Sequence, residues 1–513
     1  MFNNIAHSLA DLLGKDYVDG VIKANTFFDE ERKAEFESYA YEKVEFYPEV
    51  EQKKADALLS KVGTTVIEST PYANDGAGTE SYQKALNKNA APLTGRAFYR
   101  LGEDGKLYFV GKSEHYHSSI GHNFAGYDLI DNARKLGVLN ATHNNTRGYI
   151  TRLLERELIR TVNGLGREDV AALDAVIASE EKHVLNRIIN LETGSLADEA
   201  AVKMMLNRFY ELGTNCEPSK YAGRIPVFFV VADSAGGTEA NYHGTTIITQ
   251  TFRNIWPSLY KTAEESGLYK VVPVMINDVE DFKNKIEEYN KPPYKTAGFM
   301  HEIVLMNYGG VLLEKEYLQK VYELCREYDT PTLVDEIQSC IWYEELFLFR
   351  RYGITPDFVI IGKGFSGGEY PASKVITTAE MDTLNQFGAL VTNGQEELAS
   401  LAYLITMQFV EDNAKVVEAN QAKFFEGLKG LADKYSNVVK DAAGLGFLSA
   451  IVFDKLDEAA IFAKKINARA IDVSAQTYKA NCPAAVLIKL PLVTSEAAID
   501  FLIQTFEEIL KEM

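Results

Sequence analysis

The sequence predicts an α/β protein: a large unit around a mostly parallel sheet, plus a smaller α+β unit built from N- and C-terminal segments. Three observations carry this prediction. Five short, continuous runs rich in Val and Ile fall between residues 225 and 364, the pattern of strands buried on both faces. Amphipathic helical stretches alternate with them, as crossover connections require. After about residue 395 the pattern changes to one long helix, two further strand-like runs and a closing helix.

In chain order, residues 1–95 read as a helical extension, with charge at helical spacing in "DEERKAEFESYAYEKVEF" and "EVEQKKADALLSKV". Residues 96–150 open the small unit and lead into the large one; "RAFYRLGEDGKLYFV" reads as a hairpin around a Glu-Asp-Gly turn. Residues 151–394 form the large unit. Its strands are predicted at "IPVFFVVAD" (225–233), "YKVVPVMI" (269–276), "GFMHEIVLMN" (298–307), "TPTLVDEI" (330–337) and "DFVIIGKG" (357–364). Between the third and fourth, "LEKEYLQKVYELCREYD" is a helix suited to a right-handed crossover. Residues 395–513 complete the small unit: a helix over 396–435, strands in "GLGFLSAIVFD" and "AAVLIKLPL", and a last helix from Ser495.

Composition narrows the function. The chain has 513 residues, 46% hydrophobic and 25% charged, as soluble enzymes have. Its net charge of −20, with no stripe of Lys or Arg, argues against a nucleic-acid surface. No apolar run is long enough for a membrane span, and the first twenty residues lack the pattern of a signal peptide, which points to the cytoplasm. Cys216, Cys325, Cys340 and Cys482 are too scattered for a disulfide frame or structural zinc, and Cys325 reads as core filling. His115, His117 and His122 could grip a metal from a strand, but imidazoles serve equally as hydrogen-bonding side chains; no metal is assigned.

Two strand ends bring chemistry. "TLVDEIQS" delivers Asp335, Glu336 and Gln338 at the C-terminal end of a strand, where open α/β sheets bind ligands. The same acids would also suit helix capping or a charged rim. "VIIGKGFSGGEYP" places Lys363 among glycines after a strand. A lysine kept in a low dielectric loses its proton more readily and can attack a carbonyl to form a Schiff base; an ordinary loop lysine would snorkel outward. A phosphate cup needs free amides at a true helix start. "ADSAGGTEANYHG" (232–244) looks like one, but Gly244 and a β-branched run follow, which is poor helix material. After Gly194 the chain is rich in Ala, Leu and Met, with Leu196, Ala200, Met204 and Phe209 near helical spacing. The phosphate-holding helix is therefore predicted to start at Gly194.

With these residues placed, the chain resembles the class III, ornithine-aminotransferase-like family of pyridoxal 5′-phosphate enzymes, of fold type I, from about residue 100 to the C-terminus. "GKLYF" with "SSIGHN" looks like the family's entry hairpin and Gly-His turn. "TGSLADEAAVK" looks like its phosphate loop, "YHGTT" its aromatic-His-Gly step and "HEIVLMNYGGV" a worn Glu-Pro-x-x-Gly segment. "LVDEIQS", "PDFVIIGKGFSGGEYPAS" and "ALVTNGQEELAS" are the most specific matches. The resemblance implies that Lys363 forms the Schiff base and shuttles a proton, while Asp335 pairs with the pyridine nitrogen. Tyr242 and Ile337 would cover the two ring faces, Gln338 would approach the phenolic oxygen, and Gly194 and Ser195 would bind the phosphate. Thr392 would contribute from a neighbouring subunit, implying a homodimer.

The departures concern substrate recognition. Lys489 stands where the family has an arginine for the substrate carboxylate, Thr245 where one often follows His-Gly, and Cys340 where a glycine is usual. Glu302 keeps the first acid of the worn segment, but Ile303 replaces its proline and Asn307 its second acid. Lys489, Asn307 and Glu302 are thus the candidate substrate residues. The resemblance implies transamination from an amine or amino acid to a 2-oxo acid. An epimerase, mutase or decarboxylase on the same scaffold is the alternative, followed by a non-enzymatic homologue.

Overall fold

The computed structural model describes all residues except 71–75, 82–89, 113–116, 142, 144, 214–217, 372, 478 and 480. Near the N-terminus, helices Leu9–Leu13, Lys15–Phe28, Lys33–Tyr41 and Glu49–Ala57 precede a three-stranded antiparallel sheet of β1 (Pro92–Arg96), β2 (Tyr99–Gly102) and β3 (Leu107–Phe109). The predicted hairpin is its β2–β3 half, turning through Gly105 at φ +77°. That sheet is tied to C-terminal residues. Phe109 exchanges backbone hydrogen bonds with Ala470 (2.8 Å) and Asp472 (2.9 Å). Fully buried Arg100 donates from Nε (2.6 Å) and Nη2 (3.0 Å) to the two carboxylate oxygens of Asp472.

The large sheet has seven strands: β4 (Leu185–Leu191), β5 (Ile225–Val231), β6 (Lys270–Val274), β7 (Tyr294–His301), β8 (Thr332–Asp335), β9 (Phe358–Ile361) and β10 (Ser373–Thr378). Their spatial order is β4-β10-β9-β8-β7-β5-β6. The register from β9 to β6 is parallel throughout, while β10 runs antiparallel to both of its neighbours. The five predicted strands are all present. The run 298–307 is not a single strand, however. It leaves the sheet after His301, and Val304–Leu305 folds back on Val311–Leu312 through Gly309 and Gly310, both at positive φ. Only glycine takes such conformations cheaply, so the paired glycines break an otherwise apolar strand pattern.

Helix α1 (Gly194–Leu206) packs Ala200, Ala201, Met204 and Met205 on one face of the sheet. The crossover helix α2 (Lys315–Glu327) joins β7 to β8 and buries Leu318, Val321, Tyr322 and Cys325, the stripe its sequence predicts. Helix α3 (Glu397–Lys434) runs 38 residues, and its first turns are buried almost all round. Buried Glu397 at its start accepts the Ile150 and Thr151 amides (2.8 and 3.1 Å), capping the helix Tyr149–Val162. The remaining strands β11 (Val439–Leu445), β12 (Leu448–Phe453), β13 (Ser474–Ala475) and β14 (Ala485–Lys489) form an antiparallel sheet in the order β11-β12-β14-β13, closed by helix α4 (Glu496–Lys511). Among the described residues, no helix is long and apolar enough to cross a membrane.

Candidate active site

The C-terminal ends of β4, β8 and β9 converge with the start of α1 on a cavity of about 300 Å³. Lys363, Asp335, Gly194, Ser195, Tyr242, Ile337 and Gln338 all line it, together with His117, Glu192, Thr193, Gly244 and Pro371. Seven residues picked from the sequence thus share one wall system.

Lys363 follows β9 by two residues and takes φ +44°, a left-handed conformation that side-chain-bearing residues adopt at a cost. A short 3-10 turn, Lys363–Ser366, holds it, anchored by the Ser119 hydroxyl donating to the Gly364 carbonyl (2.5 Å). Part of the side chain faces the cavity, and the rest is packed among protein atoms. Desolvation therefore lowers the Lys363 pKa, against the opposing pull of Glu302 and Asp335.

Asp335 is buried where β8 ends, and its Oδ1 accepts the Ile337 amide (2.9 Å). Its Oδ2 lies 3.6 Å from Nδ1 of His243, a buried ring whose nitrogens find no hydrogen-bond partner among the described residues. Asp198, from the first turns of α1, joins this cluster with both carboxylate oxygens buried and, among the described residues, unpartnered. Burial, then the charges of Asp335 and Glu302, push its pKa well up.

The two candidate phosphate stretches differ in their amides. Thr193 makes no side-chain cap on α1, so the first-turn amides of Gly194 and Ser195 stay at the cavity wall. The rival stretch is filled by its own side chain: Asp233 accepts the amides of Ala235 (2.8 Å), Gly237 (3.0 Å) and Glu239 (3.2 Å). Its amides are spent, and no helix follows directly.

The residues fit pyridoxal phosphate. A Cβ on Gly194 would come within 2.2 Å of Ile337 Cδ1, and one on Gly244 (φ +95°) within 2.6 Å of Ser195 Cα, so glycine keeps this floor open. Gln338 Oε1 is a buried acceptor without a partner, while its Nε2 donates to Glu302 Oε1 (2.6 Å). An aromatic ring, an aliphatic side chain, a carboxylate, helix-start amides and a desolvated lysine surround one space, which suits a flat, phosphorylated, electron-poor ring carrying a carbonyl.

Four predicted residues lie off this wall. Glu302 is buried behind Gln338, its pKa raised by burial and by Asp335. Asn307 sits in the 3-10 turn Met306–Tyr308, where its carbonyl accepts from Gln476 Nε2 (2.6 Å). Lys489 departs most from a substrate-binding role. It is fully buried, donates to the Gln338 carbonyl (2.5 Å) and stands 3.7 Å from the Trp342 ring centroid. Position on β14 turns it under Gln338, so it supports the site from behind rather than facing a ligand. Thr392 is exposed and belongs to no part of its own chain's cavity; the adjacent Asn393 amide donates to Glu192 (3.1 Å).

Sequence reasoning missed His117, Glu192, Thr193, Gly244 and Pro371 on the wall, and His243 and Asp198 behind it. Glu192, Thr193, His243 and Gly244 adjoin residues that were singled out. Of the histidine trio, His117 faces the cavity, where burial and then Lys363 lower its pKa. His122 pairs instead with Ala97 at the hairpin, and His115 lies outside the described residues.

This sheet order, with an aspartate ending one strand and a lysine just past its neighbour, defines the fold type I architecture of pyridoxal-phosphate enzymes. The class III aminotransferase family model matches residues 122–510, and the chain belongs to that family. Class III aminotransferases are pyridoxal-phosphate-dependent. The acetylornithine aminotransferase of Methanocaldococcus jannaschii is 27% identical over 283 residues, covering 53% of this chain and 65% of that protein. The putrescine aminotransferase of Pectobacterium atrosepticum is 27% identical over 247 residues, covering 47% and 52%. The chain thus matches between about half and two thirds of the length of these curated relatives. The crystal structure of the Toxoplasma gondii ornithine aminotransferase superposes with a TM-score of 0.65 at 20% identity, covering 85% of this chain and 97% of that one.

Proposed function

We propose that this protein is a pyridoxal-phosphate-dependent aminotransferase that moves an amino group from an amine or amino acid to a 2-oxo acid. The observation that carries this reading is the convergence of desolvated Lys363 and buried Asp335 on one cavity whose floor is a helix start. Gly194 and Ser195 would hold the phosphate on their amides, Asp335 would hold the ring nitrogen, and Tyr242 and Ile337 would flank the ring. Gln338, fixed by Glu302, presents its free oxygen edge to the ring substituent.

The bound cofactor supplies an aldehyde carbonyl and an electron-accepting ring. Lys363 would supply the amine that condenses with the cofactor's carbonyl, water leaving, and burial makes its deprotonation easier. Once the substrate's own amine has displaced it, its freed Nζ would be placed to take the proton from the substrate Cα and to give it back. Asp335 would place a carboxylate oxygen beside the ring nitrogen, an acceptor that favours a proton there. The enclosing walls limit water, which would otherwise compete for the carbonyl.

The reading includes a homodimer in which Thr392 serves the partner's site. Thr392 follows an outward-facing segment that leaves Phe387 80% exposed, a large ring that suits burial against a second copy. The three described cysteines are free thiols, which suits a reducing compartment.

The test is a half-reaction. Incubation with an amino donor and no acceptor is expected to convert the visible band of the bound cofactor to that of its aminated form, with release of one carbonyl product. Carbon dioxide release, or isomerised donor with the band restored, would instead establish the decarboxylase or epimerase alternative. Lys363→Ala is expected to lower turnover by at least about 10³-fold.

A further inference from the structure

On its Tyr242 side the site is flanked by two cations, Arg253 and Lys479. Arg253, in the turn after the short helix Ile247–Thr251, sets its guanidinium 4.8 Å from the centroid of the Tyr242 ring. Its Nε is buried without a hydrogen-bond partner, and no ion pair reaches the guanidinium among the described residues. Lys479 arrives from the segment between β13 and β14. It is only 8% exposed, and its one described hydrogen bond is long, 3.5 Å to the carbonyl of Asn241, the residue preceding Tyr242. Burial, then the neighbouring charge of Arg253, lowers its pKa, with Glu302 and Glu239 pulling the other way. Glu302 attracts it from a distance, but no salt bridge to either acid forms among the described residues, and Glu302 accepts at Oε1 from Gln338. The like charges of Arg253 and Lys479 repel one another, Glu302 and Glu239 offset part of that, and an anion entering between the two cations would offset more.

We propose that Arg253 and Lys479 form the subsite for a substrate carboxylate, so that the substrates are amino acids and 2-oxo acids rather than simple amines. This rests on the aminotransferase reading above. Lys489, which the family pattern suggested for that task, spends its ammonium on the Gln338 carbonyl and the Trp342 face. Arg253 brings the fork that matches a carboxylate in two bonds, and its stacking on Tyr242 sets the plane of that fork beside the ring that lines the cavity. Lys479 adds a point charge from the opposite chain segment.

Calorimetric titration of the holoenzyme with glutarate, a dicarboxylate that can neither give nor take an amino group, tests the subsite without turnover. Saturable binding is expected, weakened at least tenfold in Arg253→Gln and in Lys479→Gln, with Arg253→Lys intermediate. An unchanged visible spectrum of the bound cofactor confirms that each variant is folded. Ornithine and putrescine, which differ only by the carboxylate, give a second readout: the wild type is expected to favour ornithine at least tenfold in kcat/KM, and the glutamine variants to erase that preference by losing ornithine alone. Absence of glutarate binding, equal binding by the variants, or equal loss of both amines would overturn the proposal. Glutarate binding that follows the expected pattern, with no donor deaminated, would refute the aminotransferase reading and leave the subsite standing.

Discussion

At the scale of single residues, the floor of the site is set by what glycine lacks. Gly194→Ala drives a methyl into the tip of Ile337, at 2.2 Å. Overpacking of this kind costs 1–3 kcal/mol, so cofactor affinity is expected to fall by about tenfold or more. Gly194→Ala/Ile337→Val, which removes the clashing Cδ1, should recover most of it in equilibrium dialysis. Gly244→Ala meets the Ser195 backbone at positive φ, and no second-site trimming should relieve it. A different residue governs pH dependence. Lys374 on β10 is buried over the Tyr403 ring, and burial lowers its pKa to about 8, with Glu155 opposing. The unfolded chain binds this proton up to about pH 10.5, while the folded one releases it near 8, so the destabilisation is complete below about pH 8 and fades between the two values. Lys374→Met is therefore expected to raise stability by up to about 3 kcal/mol at pH 7, with the gain vanishing above pH 10.5 in urea titrations. Neither Lys374 nor Asp198 was legible in advance: each looks like ordinary strand or helix polarity until the tertiary structure buries it.

At the scale of elements, the pattern was readable wherever burial and periodicity coincide. The α2 stripe and the Val/Ile runs of β5, β6, β8 and β9 could be placed because continuous burial selects apolar residues at every position. β4 and β10 were missed for the opposite reason. Asn186, Arg187 and Asn190 interrupt β4; the first two bond to the preceding helix and its exit, and Asn190 Nδ2 donates to the distant Glu155 (2.7 Å). The closing helix α4 was legible down to its first residue. Ser495 accepts the Ala498 amide (3.1 Å) as N-cap, and Ile499, Leu502, Phe506 and Ile509 form the buried stripe. Ser495→Ala is expected to cost ~1 kcal/mol and Phe506→Ala about 3–5 kcal/mol, both read as lowered thermal unfolding midpoints.

At the scale of the whole molecule, the proposed dimer makes a prediction that no monomeric enzyme would satisfy. Lys363→Ala and Thr392→Tyr each disable a site, yet in a hybrid dimer one of the two sites receives an intact lysine and an intact threonine. Mixing the two inactive proteins after dissociation is expected to restore about one quarter of wild-type activity, since half of randomly formed dimers are hybrids with one working site. A mixture that stays inactive, or a mass of one chain in light scattering, would count against the shared site.

By itself the sequence determined five of the seven strands of the large sheet, that a lysine and an aspartate stand at the C-terminal ends of neighbouring ones, and which of two glycine-rich stretches starts a helix. These are local properties: period, propensity and the distance between strand ends in an ordered sheet. Tertiary structure alone decided which side chains look into the cavity and which stand behind it. Lys489 and Arg253 show the reason. Direction at a site depends on the packing of elements far apart in the chain, and that packing turned Lys489 toward Gln338 and Trp342 while bringing Arg253 and Lys479 together beside Tyr242.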